Sequence, residues 1–151
     1  MEITLRHATL DDVGLLARLN RQMIEDERSR NPMSLAQLEG RMRGWLLGEW
    51  RAVLIACDGQ AAGYCLYQAR RDSYFPERPV VYVRHYMIER AHRRRGLGRA
   101  AFERLVAEWF ERGATVELDV LTSNPAGQVF WASLGFQPYA TTLKRDPPPA
   151  G

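Results

Sequence analysis

The sequence is poor in the residues that build metal sites and disulfide frameworks. Its 151 residues include two cysteines and three histidines. Cys57 and Cys65 fall in neighbouring predicted strands, and the histidines show no spacing typical of metal ligands. We therefore expect no metal site and no disulfide framework, and we expect both cysteines to lie in the core.

Long apolar runs are also missing. No stretch approaches the roughly 18 to 20 apolar residues that cross a bilayer. The N-terminal sequence Met-Glu-Ile-Thr-Leu-Arg lacks the pattern of a secretory signal peptide. These absences predict a cytoplasmic protein that has no membrane partner.

Lysine is almost absent, because Lys144 is the only lysine among 21 basic residues. The net charge is only +3, but arginines crowd into residues 90–104. A positive field concentrated in this way steers anionic ligands toward the segment. A basic nucleic-acid-binding module is the weakest interpretation, since the overall charge is small and no motif of such a module is present. We expect no nucleic-acid partner.

Length and composition predict one α/β domain. With 46% hydrophobic residues, the chain has enough apolar material for a sizeable core. We place the domain at residues 1–145 and expect the proline-rich tail, residues 146–151, to be disordered. Prolines in that tail cannot join a sheet ladder.

The order of apolar patterns predicts a mixed central sheet of about six strands with helices on both faces. Asp58-Gly59 marks a hairpin turn, and Ser34 with Gln37 forms a capping box at the start of a helix. The predicted strands are residues 3–6, 52–57, 61–68, 80–88, 115–121 and 136–144, and helices begin near residues 13, 35, 97 and 125.

The most informative stretch is Arg93-Arg94-Arg95-Gly96-Leu97-Gly98, which joins a strand to a helix. Free amides at a helix start, and glycines that let a ligand approach the main chain, favour phosphate binding. The arginines add full charges and forked donors. Taken alone, the stretch is equally compatible with a solvated basic face.

Two motifs together resemble the GNAT superfamily of N-acetyltransferases. Arg93-x-x-Gly96-x-Gly98 is similar to the family signature (Gln/Arg)-x-x-Gly-x-(Gly/Ala), and NPAGQVFWASLGF at residues 124–136 is similar to the closing element of the family. The resemblance covers residues 3–145. It implies that the first motif binds the pyrophosphate of acetyl-CoA, the co-substrate.

The resemblance also implies where the rest of the coenzyme lies. In this family the two central strands, here residues 80–88 and 115–121, splay apart to admit the pantetheine arm, and an amide near Ile88 polarises the acetyl carbonyl. Asn124 contacts the coenzyme arm in this scheme, although Asn before Pro is also an ordinary helix cap. The residues expected to contact acetyl-CoA are Met87, Ile88, Glu89, Arg93, Arg94, Arg95, Gly96, Leu97, Gly98, Arg99, Asn124, Phe130 and Trp131.

The implied reaction is direct attack of an amine on the thioester, which gives an amide and free CoA. The amine must lose a proton, and the candidate bases are His85, Glu89, Tyr82 and a bound water. Many family members carry a tyrosine acid seven residues after the Asn, but here that position is Trp131, whose indole has no titratable proton. The thiolate is then protonated by Tyr139 or by water, or the reaction has no dedicated acid. Core packing is the simpler role for Trp131.

The expected acceptor is a primary amine of a small molecule or a peptide. The polar linker at residues 25–32 begins with Glu25, and it either attracts a cationic amine or is merely solvated. The loop at residues 70–79 carries Tyr74 and Phe75, which either line the acceptor cleft or cover the sheet edge.

Two further residues of the central strand, Tyr82 and Arg84, are candidates for contact with the acceptor. We expect Arg84 to face away from His85, although the resemblance also implies a β-bulge near this point, which can reverse the side chains that face the cleft. If Arg84 instead points into the cleft, it favours a carboxylate or phosphate beside the amine.

A noncatalytic acyl-CoA-binding or sensing domain is the alternative function, and the absence of a tyrosine at Trp131 is the feature in its favour. Members of the family often pair their final strands across subunits, so the resemblance allows a homodimer.

Overall fold

The computed structural model describes residues 1–150. Its elements are β1 (Ile3–His7), α1 (Val13–Asp26), α2 (Leu35–Leu47), β2 (Arg51–Cys57), β3 (Gln60–Arg71), β4 (Pro79–Ile88), α3 (Leu97–Glu108), β5 (Thr115–Leu118) and α4 (Pro125–Ser133). The strands form one sheet in the order β1-β2-β3-β4-β5. The first four are antiparallel to their neighbours, and β4 pairs with β5 in parallel. The predicted α/β class with a mixed sheet is confirmed.

Local sequence signals account for several of the turns and helix starts. Asp58 and Gly59 have φ angles of +51° and +81°, the left-handed pair that a tight hairpin needs. The Ser34 hydroxyl accepts a hydrogen bond from the Gln37 amide, and the Gln37 side chain accepts one from the Ser34 amide. The predicted hairpin and capping box are therefore confirmed.

Helices cover both faces of the sheet. On one face, α1 and α2 pack against β2 and β3 through residues such as Leu16, Met42 and Leu66. On the other face, Phe102 and Leu105 of α3 pack together with sheet residues and with Trp131 of α4. Both cysteines are buried and unpaired, as predicted, at the positions that the sequence assigned to neighbouring strands.

The central strand β4 is irregular at the point where it leaves β5. Leu66 on β3 pairs with His85, but Tyr67 pairs with Val83, so Arg84 is an extra residue in the ladder. The last residue of β4 that pairs with β5 is Val83, opposite Leu118. Beyond this β-bulge, residues 84–88 continue without β5, and a gap opens between the two strands. The expected splay of the central pair is present.

The sheet has five strands because two strand predictions were too long. The predicted strand at residues 115–121 ends at Leu118, since β5 loses its only neighbour where β4 diverges. The predicted strand at residues 136–144 does not form. Pro138 has no amide to donate to a ladder, and Tyr139 and Leu143 are 95% and 87% exposed, so this segment buries no apolar face against the sheet.

Within the described part of the chain, residues 146–150 are exposed and form no helix or strand. No helix among residues 1–150 is both long and apolar enough to cross a membrane. The same residues contain no cluster of three or more His, Cys, Asp or Glu side chains able to hold a metal ion.

The close approach of β3 to the end of β4 depends on Gly63. A Cβ atom at Gly63 would lie 2.0 Å from the Met87 carbonyl oxygen. We expect Gly63→Ala to lower the free energy of unfolding by about 2 kcal/mol or more, because overpacking at a backbone contact forces the strands apart. Urea unfolding followed by circular dichroism measures the change.

Gly40→Ala is the matched control. Gly40 lies on the exposed side of α2, and within residues 1–150 no atom outside its own helix turn lies within 4 Å of the position that a Cβ would take there. This variant should gain up to about 1 kcal/mol from helix propensity. Equal stability of the two variants would contradict the close packing of β3 on β4.

Candidate active site

A row of unpaired main-chain amides lies at the start of α3. Within residues 1–150, the amides of residues 94–99 donate no hydrogen bond, whereas the next amide, of Ala100, bonds to Gly96 O at 3.1 Å. Arg94 and Gly96 have φ angles of +62° and +77°, and this alternation turns successive N–H groups toward one side. The partial positive charge of the helix start adds to them. Such a cradle suits a pyrophosphate.

The arginine side chains of this segment are mostly bound to the protein. Arg93 donates from Nε to Ile88 O at 2.7 Å and pairs with Asp26. Arg95 lies 3.3 Å from His92 Nδ1, and Arg99 donates to Ser133 O at 2.8 Å. Arg94 makes no side-chain hydrogen bond within residues 1–150. The main chain is therefore the larger part of the anion site, and the guanidinium groups largely hold it in shape.

Only one of the three residues at the end of β4 turns its main chain toward the gap. The Glu89 amide donates to Ala62 O on β3 at 2.7 Å, and the Met87 carbonyl approaches Gly63 on β3. Because main-chain groups alternate along a strand, those of Ile88 point to the opposite side, where β5 has ended. Ile88 therefore remains the candidate whose amide donates a hydrogen bond to the acetyl carbonyl. The main chains of Met87 and Glu89 face β3 instead.

The helix α4 closes over the start of α3. The Asn124 Oδ1 accepts a hydrogen bond from the Gly127 amide at 3.0 Å, so Asn124 caps α4, with Pro125 at the first helical position. A Cβ at Gly98 would lie 3.2 Å from the Phe130 ring. Gly98 thus permits α4 to approach α3. Contact of Asn124 and Phe130 with the coenzyme stays a prediction.

Neither Trp131 nor Tyr139 is placed to act as the acid that protonates the leaving thiolate. Trp131 packs edge-on against Phe102 and Phe136, with ring centroids 5.2 Å and 5.1 Å apart, and this is the core role that the sequence favoured. Tyr139 is exposed and belongs to the segment that forms no strand. The structure gives no reason to assign an acid to either side chain.

His85 is held in the interior of the protein. Its Nδ1 lies 2.9 Å from the Tyr64 hydroxyl, and its ring packs edge-on against Trp45. Burial, followed by the charges of Arg41 and Arg84, lowers the pKa of His85 to about 3. The burial of His85 and its lowered pKa both argue against its predicted role as the base that deprotonates an ammonium.

The other candidate bases are also committed elsewhere. The Glu89 carboxylate caps the turn after β4 by accepting from the Ala91 amide at 3.2 Å. Tyr82 donates a hydrogen bond from its hydroxyl to Asp119. Burial, together with the Asp119 carboxylate, raises the pKa of Tyr82 to about 12, so this phenol keeps its proton at neutral pH.

Sequence reasoning missed Asp119. It is the first residue after β5, and its exposed carboxylate lies at the point where the gap between β4 and β5 opens. The available signal was an acidic residue at the carboxyl end of a strand next to the central one, where α/β sheets bind ligands.

The prediction that Arg84 faces away from His85 was wrong. The Arg84 guanidinium lies 4.7 Å from the Trp45 ring centroid, the same ring that His85 contacts. Because Arg84 is the extra residue of the bulge, Tyr82, Arg84 and His85 all face the α1 and α2 side. Contact of Arg84 with the acceptor stays a prediction.

Three other residues predicted to contact the acceptor do not join Tyr82 and Arg84 on the α1 and α2 side of the sheet. Glu25 forms an ion pair with Arg90 at 3.2 Å, so its charge is compensated. Tyr74 is 81% exposed, and Phe75 stacks under Arg78 within its own loop. Their role in acceptor binding stays a prediction without structural support.

Sequence comparison identifies the class of protein to which this fold and site belong. Residues 18–136 match the model of the Acetyltransferase (GNAT) family. This chain belongs to the GNAT family of acetyltransferases, and membership supports acyltransferase activity. No curated protein gives a significant match.

Solved structures share the fold. A GCN5-related N-acetyltransferase from Ralstonia eutropha JMP134 is 24% identical, with a TM-score of 0.74 over 96% of this chain and 99% of that one. A predicted acetyltransferase with acetyl-CoA from Clostridium acetobutylicum is 17% identical, with a TM-score of 0.74 and 96% of each chain covered. A mutant of the BH1408 protein from Bacillus halodurans is 22% identical, with a TM-score of 0.76 over 95% of this chain and 98% of that one.

The amide cradle predicts the effect of replacing Gly96. At φ +77°, a β-branched side chain strains the loop that aligns the unpaired N–H groups. Gly96→Val should weaken acetyl-CoA binding by at least about tenfold in calorimetric titration, a loss of about 1.4 kcal/mol or more.

Gly113→Val carries the same backbone strain without the site. Gly113 has φ +80°, lies in the turn after α3, and has open space where a Cβ would lie, with no atom within 4 Å. Its affinity for acetyl-CoA should equal that of the wild type. A similar loss in both variants would mean that global destabilisation explains the effect at Gly96.

The environment of His85 predicts a pH dependence of stability. Its pKa of about 3 in the folded protein is below its ordinary value of 6.5, so the folded state binds fewer protons between these values. The contribution of neutral His85 to the free energy of unfolding is fully present above about pH 6.5. It decreases as the pH is lowered, by up to about 1.4 kcal/mol per pH unit. Urea unfolding between pH 7.5 and 4.5 should show a steeper decline for the wild type than for His85→Gln. An NMR titration midpoint of His85 near 6.5 would contradict this and restore it as a general base.

Proposed function

We propose that this protein is an N-acetyltransferase that transfers the acetyl group of acetyl-CoA to a primary amine of a small molecule or a peptide by direct attack. The main support is the adjacency of the amide cradle at residues 94–99 to the open gap beyond Val83 and Leu118. Ile88, at the end of β4, links the two, because its side chain borders Gly98 and its carbonyl binds Arg93.

The chain fits acetyl-CoA through main-chain amides that have no hydrogen-bond partner within residues 1–150. The unpaired amides of residues 94–99 are suited to a pyrophosphate, and the main chain of Ile88 faces the gap. When bound, acetyl-CoA supplies an activated acetyl thioester. We propose that the Ile88 amide donates a hydrogen bond to the acetyl oxygen as that oxygen gains charge.

The reaction makes one bond and breaks one bond at the acetyl carbon. The amine nitrogen forms a bond to this carbon, the carbon–sulfur bond breaks, and its electron pair leaves with sulfur. The amine starts as an ammonium and loses one proton before attack and a second afterwards. One of these protons ends on the thiolate, so each turnover releases one proton.

Two tasks concern protons. We propose that the exposed Asp119 carboxylate orients the ammonium and passes its proton to solvent, a role for which His85, Glu89 and Tyr82 are poorly placed. For the thiolate, whose conjugate acid has a pKa of about 8.5, we propose protonation by water, since Trp131 lies within an aromatic cluster.

A thiol-release assay tests the proposal. The purified protein is mixed with acetyl-CoA and a panel of amines, amino acids and peptides, and free CoA is measured together with the mass of the product. We expect CoA release that depends on the amine and equals the acetylated product formed.

Two other outcomes separate the alternatives. Tight acetyl-CoA binding without release from any acceptor would contradict the proposal and favour an acyl-CoA-sensing domain. Release of CoA without an acetylated amine would mean thioester hydrolysis.

A further inference from the structure

Three arginines and three aromatic rings form a continuous surface on the α1 and α2 face of the sheet. We call it the arginine–aromatic surface, and its members are Arg41, Trp45, Trp50, Arg70, Tyr82 and Arg84. Arg84 lies 4.7 Å from the Trp45 centroid and 5.6 Å from the Trp50 centroid. Arg70 lies 4.2 Å from the Tyr82 centroid and 5.8 Å from the Trp50 centroid. The two guanidinium groups thus lie over the same indole ring.

The arginines of this surface have no carboxylate in direct contact within residues 1–150. Within residues 1–150, none of Arg41, Arg70 and Arg84 forms a salt bridge, while Arg90 and Arg93 nearby in sequence pair with carboxylates. The buried Nε of Arg41 also has no hydrogen-bond partner in the described chain. Burial and the charge of Arg84 lower the pKa of Arg41, a sign that the two cations repel each other.

Stacking on aromatic rings explains how the arginines keep their positions without counter-ions. A guanidinium over an indole or phenol ring gains cation–π attraction while its N–H groups remain available. The Arg84 side chain makes no hydrogen bond within residues 1–150 and is exposed. Its forked donors are therefore free for a planar or tetrahedral anion.

A negative group borders this surface. Tyr82, which carries Arg70 on its ring, donates its hydroxyl to the Asp119 carboxylate at the mouth of the gap. A ligand that spans from Asp119 to Arg84 thus meets a negative group at the reacting end and positive groups beyond it. A simple cationic amine would be repelled by the arginines.

We infer that the acceptor is a primary amine that also carries a carboxylate or phosphate, with its ammonium on Asp119 and its anionic group on Arg84 and Arg70. This inference rests on the proposed function. It names a zwitterionic substrate class and assigns Arg84 as a residue that determines specificity.

Paired acceptors test the inference. Each amino acid is compared with its own amide, and phosphoethanolamine is compared with ethanolamine, at saturating acetyl-CoA. We expect kcat/KM for the anionic member to exceed that of its neutral partner by at least about tenfold. The effect should fall mainly on KM, because Arg84 binds a part of the acceptor that does not react.

Variants then assign the preference to Arg84. Arg84→Gln should reduce the ratio to below about threefold and leave acetyl-CoA affinity unchanged, whereas Arg84→Lys should keep most of the ratio. Arg43→Gln is the charge-matched control, since Arg43 is an exposed residue of α2, and it should behave as the wild type.

The outcomes separate the two proposals. Equal rates for both members of every pair, or an unchanged ratio in Arg84→Gln, would overturn the inference and leave the acetyltransferase function standing. Absence of amine-dependent CoA release with every acceptor would overturn the proposed function and this inference with it.

Discussion

A parallel ladder needs two strands that stay about 4.8 Å apart, and β4 and β5 hold this spacing only along residues 80–83 and 115–118. The extra residue Arg84 then bends β4, and the ladder ends. The end of this pairing leaves the Ile88 amide without a strand partner within residues 1–150 and puts Asp119 at the mouth of the gap, while the bulge turns Arg84 to the α1 and α2 face. The proposed coenzyme site and the proposed acceptor surface thus both depend on this one irregular point of β4.

The candidate site contains two kinds of group that can bind an anion, backbone amides and arginine side chains. At the start of α3, backbone amides supply the donors, and the neighbouring arginines are tied to Asp26, His92 and Ser133. On the opposite face of the sheet, arginine side chains stack on Trp45 and Trp50 and form no salt bridge with a carboxylate of residues 1–150. The first kind suits a fixed coenzyme, and the second suits a variable substrate.

Signals that act within a few residues predicted the structure well. The Asp58-Gly59 turn, the Ser34 capping box and the glycine-rich start of α3 all formed as the sequence indicates. The length of β5 was harder to predict, because an edge strand ends where its neighbour diverges. The divergence of β4 has no signal in residues 119–121 of the sequence. The predicted orientation of Arg84 was wrong for a related reason, since one extra residue in β4 reverses the alternation of side chains at this point. The burial of His85, which decides its pKa, likewise depends on Trp45 from another element.

The most direct test concerns the unpaired amides at the start of α3, which we propose hold acetyl-CoA. A titration of ¹⁵N-labelled protein with acetyl-CoA, followed by amide NMR shifts and hydrogen exchange, examines them residue by residue. We predict that the amides of residues 94–99 show the largest downfield shifts and gain protection, while the turn at Gly113 stays unchanged. Saturation with no change at residues 94–99, and with the largest shifts elsewhere, would contradict this assignment of the coenzyme site.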